Sequence, residues 1–574
     1  MLGWFNALAE FNAAAPKKRS LNMLGLVCSA MASFAHADNA QLDIQLTPVV
    51  KDGLAVAIDV TEHIRLDTPL PSLVIAEKLG PLVNIDQRLV NIQLSDQQGP
   101  LTLSTAQAAF PDALGSTPRA WRTDRPTVGE VVLRYRAKVS HDTIAGPTWE
   151  VRSEARGISA AGYTFLLLPE DQQTYKVSLS WDLSALANNA TAIDSLPTDG
   201  QVTMHRLGAT YFMAGDLHRL PADPKASGPF RAASTADTTQ FSQASLLSWA
   251  HQAYVKYSDF FGFAQQPPFT VLFRDNPIID QSGTELPDAL MVAAAKDTPF
   301  SHMREILSHE MVHVFLHGPE DASWFQEGLA VMYENRALYA LGLIDDDEYL
   351  SAVNNTVQTY YANVKKFISM DAAQAAFWTD ARARLQPYYR GGMYFITTDS
   401  RLRKTSQGKV TLDQLLREFL QAYRDGKSVT GEDWLALVRS HLGEAADRDY
   451  HALQEGGLLV PEDEAFGRCF TRQTVQVPVF ELGFDISSLM QRPRVITGLV
   501  PDSPAAKAGL REGDRVSTST GLDAQQAKHG EPLTLVAERD GKQVPISFIP
   551  QGPLTESYQW VKTTNSLGDS TCRH

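Results

Sequence analysis

At 574 residues the chain is too long for one hydrophobic core, and roughly two to four domains is the natural division. Hydrophobic residues make up 44% and charged residues 20%, the ordinary balance of a soluble globular protein, and no apolar run of transmembrane length follows the N-terminus. The net charge of -15 argues against nucleic acid and anionic membrane surfaces as partners.

The first 37 residues read as an export signal. Lys17, Lys18 and Arg19 form a basic cluster, Leu21 to Phe34 is a short apolar stretch, and Ala35-His36-Ala37 has the small-x-small pattern of a cleavage site. This places the mature chain in the periplasm or outside the cell, with no integral membrane segment once the signal is removed. Cleavage takes away three basic residues and Glu10, so the charge moves to -17. Two cysteines remain, Cys469 and Cys572; in an oxidising compartment they either pair or stay free thiols.

Residues 38–225 read as a β-sandwich-like domain. Leu42, Ile44 and Leu46 alternate with polar residues, as do Leu54, Val56, Ile58 and Val60, then Leu133, Tyr135, Ala137 and Val139, then Tyr175, Val177, Leu179, Trp181 and Leu183. Period-two alternation gives strands with one buried face. Pro221 to Ser234 reads as a linker. From 235 to 456 helical patterns dominate; Leu246, Leu247, Trp249, Ala250, Tyr254 and Tyr257 lie on one helical face. Two strand-like runs, Phe269–Phe273 and Ala289–Ala295, interrupt them. A third module spans 475–550, followed by a tail, 551–574.

The strongest chemical signal is Ser308-His309-Glu310-Met311-Val312-His313, flanked by apolar residues that make a buried helix. Residues i and i+4 project from one helix face, so His309 and His313 converge on one ion, while Glu310 reaches a water held there without ligating the metal. A catalytic zinc takes three protein ligands and keeps a position for water. Downstream, Trp324-Phe325-Gln326-Glu327-Gly328 opens a second helical run, and a carboxylate early on an antiparallel helix faces the histidines. Glu327 fits. His317 sits a full turn beyond His313, and Glu320 and Asp321 follow Gly318-Pro319 in a turn expected to be solvated. One Zn²⁺ per chain, bound by His309, His313 and Glu327, is therefore expected, with Glu310 taking the proton of the attacking water. Glu334, seven residues after Glu327, is placed either against a ligating histidine or in solvent.

His-Glu-x-x-His followed by Trp-Phe-x-Glu-Gly resembles the gluzincin metallopeptidases. It is most similar to the glycyl aminopeptidase family, whose members carry a C-terminal PDZ domain. Pro387-Tyr388-Tyr389-Arg390-Gly391-Gly392, Asp399 to Arg403 and Val410-Thr411-Leu412-Asp413 add to the resemblance. It implies a multidomain α+β chain with a thermolysin-like, mainly helical catalytic domain that hydrolyses peptides or proteins. It also implies that Tyr388 hydrogen-bonds the oxyanion, with Tyr389 as the alternative. Such aminopeptidases carry a Gly-Gly-x-Glu strand that grips the substrate amine. Here the region reads Ser282-Gly283-Thr284-Glu285-Leu286, so Glu285 either binds an amine or, as the safer reading, is a loop carboxylate, and Ala289–Ala295 is read as the edge strand that pairs with substrate. Aminopeptidase and endopeptidase action both stay open.

Leu482-Gly483-Phe484 and Val500 to Val516 resemble a PDZ domain, which implies a C-terminal peptide as ligand. Only 16 residues separate Val516 from Leu533, where such domains place a groove helix, so a structural cap is the other reading. Against the enzyme stands a non-catalytic peptide-binding or scaffold protein that keeps the fold; the intact His309, Glu310, His313 and Glu327 favour the enzyme.

Overall fold

The computed structural model describes residues 40–108, 116–141, 148–226, 228–276, 281–316, 318–319, 321–425, 427–491, 493–517 and 521–563. The export-signal segment lies outside these residues. Cys469 is disulfide-bonded, and the chain's other cysteines, Cys28 and Cys572, also lie outside them.

The N-terminal domain is built on a seven-stranded sheet. Its order is Gln201–Thr203, Thr174–Trp181, Gln41–Lys51, Leu54–Arg65, Val131–Lys138, Leu89–Asp96, Gly99–Leu101. Two four-stranded sheets complete it. Leu42, Ile44 and Leu46 are buried, as are Leu133, Tyr135 and Ala137. The second strand departs from the expected pattern: Leu54 is 48% exposed and Val56 points outward, while Ala55 and Ala57 are buried. A register shift between Val49 and Val50 reverses the facing there, and the phase returns at Ile58 and Val60.

The helical domain begins earlier than the composition suggests. His218–Leu220 and Phe230–Ser234 are antiparallel strands of a five-stranded sheet, in the order His218–Leu220, Phe230–Ser234, Phe269–Asp275, Ala289–Ala294, Gln281–Leu286. The stretch expected to be a linker is thus a loop within a hairpin plus a buried strand: Pro, Asp and Gly mark the connection, and Phe230, Ala232 and Ala233 are buried. Ala289–Ala294 is an interior strand, parallel to Phe269–Asp275 and antiparallel to Gln281–Leu286, which is the edge. Both faces of the interior strand are covered. Leu290 and Val292 join the helical core, whereas Ala289 and Met291 join the N-terminal core. That two-sided burial explains its continuous apolar run.

Behind the sheet lie the helices Gln243–Phe260, Phe300–Phe315, Ser323–Ala340, Asp346–Ala362 and Gly391–Ser406. The apolar face Leu246, Leu247, Trp249, Ala250, Tyr254 and Tyr257 is buried as the spacing predicts. Two helices meet at glycines: a Cβ on Gly328 would lie 2.4 Å from the backbone of Gly391, and one on Gly391 would lie 2.6 Å from the carbonyl oxygen of Trp324. Only glycine at both positions permits this approach. The block around Asp399 is structural. Asp399 accepts from Arg336 (2.9 Å), Arg403 (2.8 Å) and the backbone N–H of Leu412 (2.9 Å), tying three helices together.

The C-terminal module is framed by a long antiparallel pair, Phe470–Phe480 with Gln551–Lys562. The expected tail therefore contributes a strand whose Trp560 is fully buried against the helical domain; its backbone exchanges hydrogen bonds with Asn354 (2.7 and 2.9 Å). A three-stranded sheet, Arg515–Val516, Leu533–Arg539 and Lys542–Phe548, fills the interior. Leu482-Gly483-Phe484 leads into the short helix Ser487–Met490 rather than a strand, and the six-residue helix Leu522–Ala527 packs against the helical domain. Among the described residues no helix is long and apolar enough to cross a membrane.

Candidate metal and catalytic centre

His309 and His313 lie on the helix Phe300–Phe315, and Glu327 on the next helix, Ser323–Ala340, which packs against it. All three are buried, and one ligand atom from each lies within 4.8 Å of the others. Glu327 Oε2 is 3.6 Å from His309 Nε2 and 3.5 Å from His313 Nε2. These separations are too long for hydrogen bonds, and none of the three atoms has a hydrogen-bond partner. Donors placed about 2.0–2.1 Å from a tetrahedral zinc lie roughly 3.4 Å from one another. The donor types, their spacing and their lack of protein partners all fit that ion.

Glu334 resolves in favour of the histidine: Nδ1–H of His309 donates to its Oε2 at 2.8 Å. This bond fixes the ring tautomer and leaves Nε2 with its lone pair toward the centre. Glu327 is held at about 2; burial opposes its charge, but His309 and His313 outweigh it. Asp321 is occupied elsewhere, accepting from the backbone N–H of Gly431 at 3.0 Å, while His317 and Glu320 lie outside the described residues.

Glu310 is buried on the motif helix, and neither carboxylate oxygen has a partner. Burial raises its pKa, against the pull of His309 and His313. Its nearest neighbour across the cleft is the edge strand. A Cβ on Gly283 would lie 3.0 Å from Glu310 Oε1 and 3.1 Å from Ile306 Cδ1, so a side chain there would press on the carboxylate.

Side chains alternate along that strand, so Glu285 shares the face of Gly283 and Thr284 takes the other. Thr284 is held by the N-terminal domain: its carbonyl accepts from Tyr211 Oη at 2.9 Å and its hydroxyl from the backbone N–H of Thr148 at 3.1 Å. Glu285 is consequently a strand residue beside the centre, not a loop carboxylate. Burial pushes its pKa up to about 8, opposed by His313 and reinforced by Glu310 and Glu327. The incomplete glycine pattern around it favoured a loop, and a lone Gly-x-Glu ahead of the motif helix is the signal for the strand.

Tyr388 enters from the opposite side. It lies in a wide π-turn, Gln386–Arg390, that runs directly into the helix Gly391–Ser406. The Gly328–Gly391 contact sets this turn beside Glu327. Its ring stacks on that of His309, with centroids 6.3 Å apart and planes 19° apart. Burial, then the carboxylates of Glu327, Glu310 and Asp523, holds the phenol protonated well above its ordinary range. Tyr389 points elsewhere, where it feels Glu334 and Glu305 after burial.

No family model matches the chain, and no curated protein matches it. Its fold is similar to that of an aminopeptidase N family protein from Idiomarina loihiensis, with a TM-score of 0.64 at 13% identity over 91% of this chain and 98% of that one. An M1 zinc metallopeptidase from Deinococcus radiodurans matches with a TM-score of 0.42 and 18% identity over 74% of this chain and 94% of that one. Native yeast LTA4 hydrolase matches with a TM-score of 0.41 and 12% identity over 74% and 68%. The first likeness is one of fold: a β-rich N-terminal domain joined to a helical domain.

Proposed function

We propose that this chain is a zinc-dependent aminopeptidase. The observation that carries this reading is the meeting of His309 Nε2, His313 Nε2 and Glu327 Oε2 in one buried cleft, all without partners, beside a Glu310 whose two oxygens are equally free. Folding alone leaves such groups at a cost of about 1–3 kcal/mol each, which selects against them unless they meet a ligand.

Zinc held by His309, His313 and Glu327 supplies a Lewis acid that brings the pKa of a water down to about 7 and polarises a carbonyl. Glu310 accepts the proton of the attacking water and returns it to the leaving amine. Tyr388 donates a hydrogen bond to the oxygen on which charge develops. The edge strand Gln281–Leu286 aligns the substrate backbone by strand addition. Glu285 shares the strand face of Gly283, which borders Glu310, and the free α-ammonium of a peptide is the cation such a substrate brings to a carboxylate there. That residue favours an aminopeptidase over an endopeptidase.

Metal analysis and peptide turnover test the reading. Wild type and Glu310→Gln are expected to bind one zinc each, with hydrolysis only by wild type, and wild type is expected to cleave free-amine peptides but not their N-acetylated forms. A zinc-free purified protein, or undiminished turnover by Glu310→Gln, overturns the enzyme. Equal rates on blocked and free peptides overturn only the aminopeptidase.

A further inference from the structure

We propose that the C-terminal module is a working wall of the active site, and that its Asp523 positions Tyr388 through an ion pair with Arg384. The proposal rests on the donor role given to Tyr388 above.

Tyr388 does not sit in a regular helix. The π-turn Gln386–Arg390 has a wider hydrogen-bond spacing than an α-helix, so the direction of Tyr388 depends on what holds the two ends of the turn. At its C-terminal end the buried Arg390 donates to the carbonyls of Leu453 (3.2 Å) and Lys366 (2.9 Å) and to Gln386 Oε1 (2.9 Å), all within the helical domain. At its N-terminal end Asn363 Nδ2 donates to the carbonyl of Arg382 (2.9 Å) from the helical domain, and a second anchor comes from the C-terminal module. Arg384, four residues before Tyr388, forms a two-point pair with Asp523: Nη2 to Oδ2 at 2.7 Å and Nε to Oδ1 at 3.2 Å. The side chains are only 14% and 10% exposed, so solvent screens the pair weakly. Ala381, at the start of the same short helix Ala381–Arg384, is fully buried in the core of the module, and its carbonyl accepts from Gln526 Nε2 at 3.3 Å.

These contacts make the helix Leu522–Ala527 part of the catalytic architecture. In the resemblance that pointed to this module, a longer helix at this place would line a peptide groove; here Asp523, Gln525 and Gln526 are buried, and Asp523 and Gln526 face the segment that carries Tyr388. The pair holds the turn from one side, Arg390 holds it from the other, and the phenol is left aimed at the centre. Asp523 acts through Arg384 and Tyr388, without touching substrate or metal.

Steady-state kinetics on the full-length zinc enzyme test this. Asp523→Asn is expected to lower kcat by about 10–100-fold, the size of effect produced by a misplaced catalytic group, with KM little changed. The charge swap Arg384→Asp with Asp523→Arg is expected to recover most of that loss, and it keeps the test alive if the single variant fails to fold. Asp514→Asn breaks a pair inside the module, Asp514 with Arg539, and is expected to lower Tm without changing kcat. In a Tyr388→Phe background, Asp523→Asn is expected to add nothing. An unchanged kcat for Asp523→Asn, or an equal loss in the Tyr388→Phe background, overturns the positioning role. Full activity of Tyr388→Phe by itself instead removes the donor role on which the proposal rests.

Discussion

Glu62 in the N-terminal domain and Glu310 in the helical domain are both fully buried, and burial pushes both carboxyls upward, Glu62 to about 8. Their surroundings differ. Glu62 Oε1 accepts from Tyr135 Oη at 2.8 Å, and that hydroxyl accepts from the backbone N–H of Leu167 at 2.9 Å. Its other oxygen, Oε2, is buried without a partner, but the network that Oε1 joins lies inside one domain. Glu310 has no partner on either oxygen, and it faces unpartnered atoms of His309, His313 and Glu327 that come from two separate helices. Burial with a shifted pKa is thus common to a structural acid and to the one proposed as the general base. What separates them is convergence, because the fold gathers polar atoms that it does not itself satisfy.

The comparison breaks if the two acids behave alike. Glu310→Gln is expected to lower kcat/KM by about 10²–10⁴-fold, the contribution of a general base, while Glu62→Gln leaves it unchanged. Turnover of one free-amine peptide at pH 7 checks both; comparable losses in the two variants would mean that the Glu310 effect is only structural. Tyr388→Phe keeps the ring on His309 and removes the donor, and it is expected to lower kcat by about 10²–10³-fold. A loss confined to KM would assign Tyr388 to substrate binding instead. Glu334→Gln weakens the bond that orients His309, and it is expected to cost about 10–100-fold in zinc affinity, read by competition with a chelating dye. Unaltered affinity would leave Glu334 as a packing residue.

How far these residues were legible in the sequence follows from what each depends on. His309, Glu310 and His313 depend on one helix, and helical spacing alone puts them together. Glu327 needed the antiparallel second helix, and the glycine beside it carried that information: Gly328 is where the helix Gly391–Ser406 touches. The strand position of Glu285 was hidden because strand order is non-local. Ala289–Ala294 follows Gln281–Leu286 in sequence but pairs inward with Phe269–Asp275, leaving the earlier run at the edge. The pattern at Leu54 and Val56 failed for a related reason, since a register shift on a neighbouring strand reversed the faces. Asp523 was beyond reach, because its partner Arg384 lies 139 residues away in another domain. Glu62 was hidden by its own regularity: it occupies the inward phase between Val60 and Ile64, where a polar residue is read as facing outward.

That hidden acid supplies the last and smallest test. The pKa of Glu62 rises from 4.5 in the unfolded chain to about 8 in the fold. The folded state therefore holds the proton more tightly, and the stability linked to it is complete below about pH 4.5, falls as pH rises, and is lost once pH passes 8. Glu62→Gln keeps an oxygen for Tyr135 but cannot ionise. The variant should match wild type at pH 4.5 and melt higher at pH 8.5, by roughly 2–4 °C for each kcal/mol relieved in a domain of this size. Differential scanning calorimetry at the two pH values reads the difference directly. Glu310→Gln offers no such clean contrast in the zinc-loaded protein, because its carboxylate lies beside the ion's charge. If the Tm gap between Glu62→Gln and wild type is the same at both pH values, Glu62 ionises within the fold without cost, and the distinction drawn between the two acids must rest on their hydrogen-bond partners alone.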